Sequence, residues 1–216
     1  MIPQSVTEGD RRSKILEDGE MTTPALSLEK TSGMGFQSKE DFLFGNIGMK
    51  IKLAPADAAG TVSTYYMASE GEQHDRIELE IMGNSTGDPY TLHTNVFVRG
   101  KGEREQRLFL CFDPTRDFHN YTIVWNPKCI IFYVDDIPIR DFKNLEEFGV
   151  PFPNAQPMRI YLSLGYAEDG TTQGGGVGTD RDLAPSSTAS FYNFSADACV
   201  WSQRDATSSC DSADFS

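Results

Sequence analysis

From residue 42 onward, short apolar runs are broken by turn-forming residues every 8–12 positions. A chain punctuated this often has no room for long helices, and the spacing suits an all-β sandwich or barrel. The runs at 45–53, 61–68, 75–82, 91–98, 106–112, 120–125, 129–134, 158–164 and 189–194 read as strands. Most are rich in Val, Ile, Tyr, Phe and Thr, which fit a pleated, half-buried surface. Turns are expected at 84–89, 100–103, Asn126-Pro127, Asp135-Asp136 and 151–157. Residues 1–30 are polar and weakly patterned, and no strand is assigned there. Residues 165–180 hold Gly165, Gly170, Gly174, Gly175, Gly176 and Gly178 and read as a long loop of the functional kind. That loop is no phosphate cradle, because the strand–GxxxxGK[ST]–helix context is missing.

The chain has 216 residues, a length that suits one domain. We take 1–204 as that domain and 205–216 as a tail. Lys plus Arg number 19 against 32 Asp plus Glu, a formal charge of −13. This balance argues against nucleic acid and against anionic membrane surfaces, which both select basic patches. No run approaches the roughly 20 apolar residues that span a bilayer. The start, Met1-Ile2-Pro3-Gln4-Ser5, shows neither the basic nor the apolar region of a secretory leader. The four cysteines, Cys111, Cys129, Cys199 and Cys210, allow three pairings, and spacing does not choose among them. Cys111 and Cys129 sit in apolar runs and read as small buried hydrophobes. Asn84, Asn120 and Asn193 stand in N-x-[ST] sequons.

One strand carries an unusual row. In His74-Asp75-Arg76-Ile77-Glu78-Leu79-Glu80-Ile81-Met82-Gly83, side chains alternate with period two. Ile77, Leu79 and Ile81 then face the core, while Arg76, Glu78 and Glu80 line the other face about 7 Å apart. A polar, solvated face is common on antiparallel strands and by itself needs no chemistry.

The segment from His74 to Asn144 closely resembles plant xyloglucan endotransglucosylase/hydrolases of glycoside hydrolase family 16, whose signature runs H-D-E-I-D-F-E-F-L-G-N. The likeness continues through Gly87-Asp88-Pro89-Tyr90, Leu92-His93-Thr94-Asn95-Val96-Phe97, Arg104-Glu105-Gln106, Phe112-Asp113-Pro114-Thr115, Trp125-Asn126-Pro127 and Ala198-Cys199-Val200-Trp201-Ser202. It covers roughly residues 6–210. It implies a β-jelly-roll sandwich, an extracellular cell-wall setting, and xyloglucan or a related β-1,4-glucan as substrate. A monomer is expected, with no cofactor, no metal, no membrane and no nucleic-acid partner.

The family's retaining chemistry needs acidic residues at i, i+2 and i+4 of this strand. Carried over, the acid/base falls on Glu80 and the helper on Glu78. The nucleophile falls on Arg76, which has no lone pair to offer. Arg76 is expected to pair with Glu78, or with both glutamates, and to leave Glu80 a poorer proton donor. The family's glucan contacts fall on His93, Thr94 and Asn95, on Glu103, Arg104 and Glu105, and on Asp169, Gly170 and Gly174. The loop resembling L-W-N-A-D-D-W-A-T-R-G-G has glycine for both tryptophans, at Gly165 and Gly170, so flat aromatic faces are lost. The resemblance also implies a glycan at Asn84 and a Cys199–Cys210 disulfide, with Cys111 and Cys129 left as free thiols. The family's leader and C-terminal extension have no counterpart here. Trp125 and Trp201 read as packing residues. The histidines read as hydrogen-bonding residues rather than metal ligands, and Glu146-Glu147 as solvated surface. The reading that follows is a glucan-binding protein with impaired catalysis. Its alternatives are an active transferase or hydrolase using Glu78 or Glu80, and the product of a truncated or decaying gene.

Overall fold

The computed structural model describes residues 13–18, 21–28, 34–53, 61–83, 89–166 and 187–201. They form thirteen strands: β1 (Ser13–Asp18), β2 (Met21–Leu28), β3 (Met34–Gln37), β4 (Phe42–Lys52), β5 (Thr61–Ala68), β6 (Arg76–Met82), β7 (Thr91–Phe97), β8 (Gln106–Phe109), β9 (His119–Trp125), β10 (Cys129–Val134), β11 (Ile137–Lys143), β12 (Arg159–Tyr166) and β13 (Ser187–Val200). One 3-10 turn, Glu146–Phe148, is the only helical element among them. The expected all-β jelly-roll class holds. Two antiparallel sheets stack face to face. One has seven strands in the order β1-β2-β13-β4-β9-β10-β11, and the other has six in the order β3-β12-β5-β6-β7-β8.

The core lies between the sheets and follows the alternation of their strands. Tyr65, Met67, Ile77, Leu79, Ile81, Leu92 and Val96 face inward from the six-stranded sheet. Ile47, Met49, Ile51, Tyr121, Ile123, Ile130 and Phe132 meet them from the other. The Tyr65 hydroxyl donates to the Ile47 carbonyl at 3.0 Å, so a buried polar group is satisfied across the sheets. Trp125 is fully buried, packs edge-on against Phe44 and donates from Nε1 to the Pro153 carbonyl at 2.8 Å. Trp201 is half-buried against the same core.

Three departures from the sequence reading concern the fold. The stretch before residue 42, where no strand was expected, contains β1 and β2, which extend the seven-stranded sheet at one edge, and β3, which forms an edge of the six-stranded sheet. At its other edge lies β11, which was not expected because Pro138, Arg140 and Asp141 obscure the pattern. Proline is tolerated on an edge strand, whose outer N–H row needs no partner, and Asp135 and Asp136 form the tight turn with φ of 48° and 63° that a two-residue hairpin requires. Finally, β8 stops at Phe109, so Cys111 lies in a bend and is exposed rather than buried.

Candidate active site

Strand β6 is central in the six-stranded sheet, and its outward row floors the open face. Register fixes the neighbours: Glu80 stands between Thr64 and His93, Glu78 between Tyr66 and Asn95, and Arg76 between Ala68 and Phe97. Tyr161 of β12 lies beyond Tyr66, and Arg107 of β8 lies beyond His93.

Arg76 stays on this open face, as expected, and does not turn into the core. Its Nε lies 2.6 Å from Glu78 Oε2. The N–H is not aimed along that line, so the contact is a charge pair rather than an aligned hydrogen bond. The guanidinium also stacks over the Tyr66 ring at 4.1 Å and approaches the Phe97 ring at 6.0 Å. Tyr66 in turn stacks on Tyr161 at 4.8 Å, and Phe97 on His74 at 6.1 Å. A column of flat groups therefore crosses four strands with the arginine in its middle. Cation–π contact of this kind favours a delocalised, weakly hydrated guanidinium.

The carboxylates depart from ordinary glutamates. Burial pushes Glu78 from 4.5 up to about 7, against the pull of Arg76 and of a hydrogen bond from Asn95. Burial also raises Glu80, again opposed by Arg76, while Glu105 adds to the rise and the Thr64 hydroxyl at 3.5 Å opposes it. The expected pull of Arg76 on Glu80 is present, but loss of hydration outweighs it and the net shift is upward.

His93 is buried and its partners define its tautomer. Arg107 Nε donates to His93 Nε2 at 2.9 Å, so Nδ1 carries the proton and faces Glu105 Oε1 at 3.3 Å. Burial holds the His93 pKa below its usual value, helped by Arg107. Asn95 Oδ1 accepts from the backbone N–H groups of Val96 and Arg104, which ties β7 to the 101–105 turn.

Two candidate contacts are placed differently from expectation. Thr94 alternates with His93 and Asn95, so its side chain faces the core and is fully buried. It cannot touch a ligand on the open face. Arg104 spends its Nη1 on the carbonyls of Val96, Lys101 and Gly102 and acts as a clasp of its own turn. Glu103 is exposed with φ of 64°, and Glu105 is half-exposed beside Arg107. Asp169, Gly170, Gly174, Asn84 and Cys210 lie outside the described residues. Cys199 is disulfide-bonded, and Cys111 and Cys129 are free.

The sequence reading missed Tyr66, Tyr161, Phe97 and Arg107 as members of this face. Their alternation is legible in each strand, but which strands are neighbours is not. It also missed Arg140. This arginine rises from β11 in the opposite sheet, crosses the core, and donates from Nη1 to the Thr94 carbonyl and hydroxyl at 2.7 and 2.8 Å. Its Nη2 donates to the Arg104 carbonyl at 2.5 Å. It is buried, and no carboxylate pairs with it among the described residues.

Chemically, this arrangement can hold a neutral chain over aromatic and polar groups, with the Glu80 carboxyl among them. It cannot form a covalent intermediate at the Arg76 position, because a guanidinium has no nucleophilic lone pair.

Residues 4–182 match the family described as Glycosyl hydrolases family 16. Xyloglucan endotransglucosylase protein 7 of Diospyros kaki is 57% identical over 97% of this chain and 76% of that protein. Xyloglucan endotransglucosylase/hydrolase protein 22 of Arabidopsis thaliana is 53% identical over 96% of this chain and 72% of that protein. Among solved structures, a Bacillus licheniformis β-glucanase superposes with a TM-score of 0.63 at 20% identity, covering 90% of this chain and 92% of that one. The Crh5 transglycosylase gives 0.64 at 22% identity, covering 88% and 77%. At such low identity these structures speak for the fold alone.

Proposed function

The chain belongs to glycosyl hydrolase family 16, and we propose that it is a xyloglucan endotransglucosylase/hydrolase-like protein that binds xyloglucan in the cell wall with its covalent step blocked. The observation that carries this reading is Arg76, charge-paired to Glu78 at 2.6 Å and stacked on Tyr66, at the position where the sequence resemblance implies the nucleophile. The relatives' names supply the glucan, and the open face supplies a floor of aromatic, amide and imidazole groups suited to a neutral sugar chain. Glu80 retains the acid/base position, but a proton alone leaves the oxocarbenium-like centre without its covalent partner. Glu78 is a poor substitute nucleophile. It is 7% exposed, its pKa is about 7, and its charge is engaged by Arg76.

The test is transfer of xyloglucan to a labelled oligosaccharide acceptor, run beside affinity electrophoresis in xyloglucan gels. The wild type should be retarded in the gel and turn over at background. Arg76→Glu should raise transfer by at least about 10³, a fraction of the 10⁴–10⁶ lost when other covalent enzymes lose their nucleophile. Robust wild-type transfer would overturn the proposal.

A further inference from the structure

Phe109 ends β8, the edge strand of the six-stranded sheet, and 68% of its surface is exposed. Isolated exposed apolar residues are ordinary, so its placement matters more than its exposure. Arg107, two residues earlier, reaches His93 on the open face, whereas Leu108 packs against the core. Alternation therefore turns Phe109 to the same open face as Arg107. The other large exposed hydrophobics, Phe118, Ile137, Leu145, Phe148 and Val200, belong to turns or to the opposite sheet. Among the described residues, only Phe109 offers an exposed apolar side chain of this size on the sheet that carries Glu80.

Its cross-strand row runs Gly165, Val62, Met82, Thr91, Phe109, one step beyond the row of Thr64, Glu80, His93 and Arg107. Two strand spacings and one two-residue step separate the backbones of Phe109 and Glu80 by about 12 Å. A sugar ring at Glu80 cannot reach that far, but a later ring of the same chain can. At the far end of the row stands Gly165, where an added Cβ would meet nothing within 4 Å. The sequence resemblance had marked this glycine as a lost aromatic. Phe109 thus supplies flat apolar surface on a floor that lacks it at the other end.

We propose that Phe109 is the platform of an outer subsite, on which a pyranose ring of a β-1,4-glucan chain stacks. One face of such a ring is a patch of C–H groups, which complements the negative face of a phenyl ring and removes apolar area from water. No strand lies beyond β8 among the described residues, so a chain that leaves the Glu80 row toward this edge can meet the ring. The subsite rests on the glucan-binding reading above.

The experiment is affinity electrophoresis in xyloglucan gels for Phe109→Ala, Phe109→Leu and Phe109→Trp, with fluorescence titration of the last by xyloglucan. Phe109→Ala should weaken binding about tenfold, the equivalent of about 1.4 kcal/mol, with an unchanged melting temperature. Phe109→Leu, apolar but not flat, should stay weak. Phe109→Trp should bind at least as well as the wild type, and the emission of the introduced indole should shift to the blue on adding xyloglucan. An alanine variant retarded like the wild type, or an indole that ignores xyloglucan while the protein is still retarded, overturns the subsite alone. A wild type that is not retarded overturns the glucan-binding reading and the subsite with it.

Discussion

Replacing Glu78 by glutamine should remove that residue's share of the pH dependence of stability that the cleft imposes on the fold. In the folded protein Glu78 titrates at about 7, against 4.5 for an ordinary glutamate, because burial penalises its charge more than Arg76 relieves it. Between those values the folded state holds a proton that the unfolded chain has released. Stability from this group is therefore fully present below about pH 4.5 and is lost as pH rises through about 7. At about 1.36 kcal/mol for each pH unit, the rise from 4.5 to about 7 corresponds to about 3 kcal/mol lost between pH 4.5 and pH 8. With about 2.1 cal/mol/K of unfolding entropy per residue, a chain of 216 residues should melt about 7 °C lower at the alkaline end. His93, whose pKa is lowered, acts in the opposite sense and gains stability as pH rises, so the informative quantity is the difference between wild type and variant. Differential scanning calorimetry from pH 4.5 to 8 measures it. The Glu78→Gln curve should be flatter by about 3 kcal/mol. Arg76→Gln should steepen the wild-type slope, because it removes the cation that holds Glu78 down. A variant whose slope equals that of the wild type would refute the account of Glu78 as a buried, reluctant carboxylate.

Arg140→Met should cost at least about 3 kcal/mol in a denaturant melt, since it strands the Thr94 carbonyl, the Thr94 hydroxyl and the Arg104 carbonyl as buried acceptors. A loss below about 1 kcal/mol would mean that water satisfies those acceptors. Gly45→Ala should destabilise by about 1–3 kcal/mol, because its new methyl would lie 2.4 Å from the Ala198 Cβ and 3.0 Å from the Ala198 Cα on the paired strand β13. A thermal melt that matches the wild type would show that the two strands part more easily than their packing implies.

The interior strands were legible because both their faces are specified. In β6, the alternation of Ile77, Leu79 and Ile81 with Arg76, Glu78 and Glu80 marks the core face and the open face without any knowledge of the fold, and the Arg76–Glu78 contact followed from charge alone. The edges were not legible. Strands β1, β3 and β11 each have a single neighbour, and a proline such as Pro138 hides a strand that tolerates it. Distance along the sequence hid the rest of the site. Tyr66, Glu78, Asn95 and Tyr161 share one cross-strand row yet come from four strands, and only the strand order brings them together. The direction of the Glu80 shift was missed for a different reason. A neighbouring cation can be read from spacing, whereas the loss of hydration that outweighs it depends on the walls of a cleft.

Strand β6 also separates two demands placed on one segment of chain. Its inward letters answer to the core and its outward letters answer chiefly to what lies on the open face. The flanking rings of Tyr66 and Phe97 give the flat cation of Arg76 a place to settle. An exchange at one outward position can thus alter the chemistry a strand offers while the strand and its pairings stay in place.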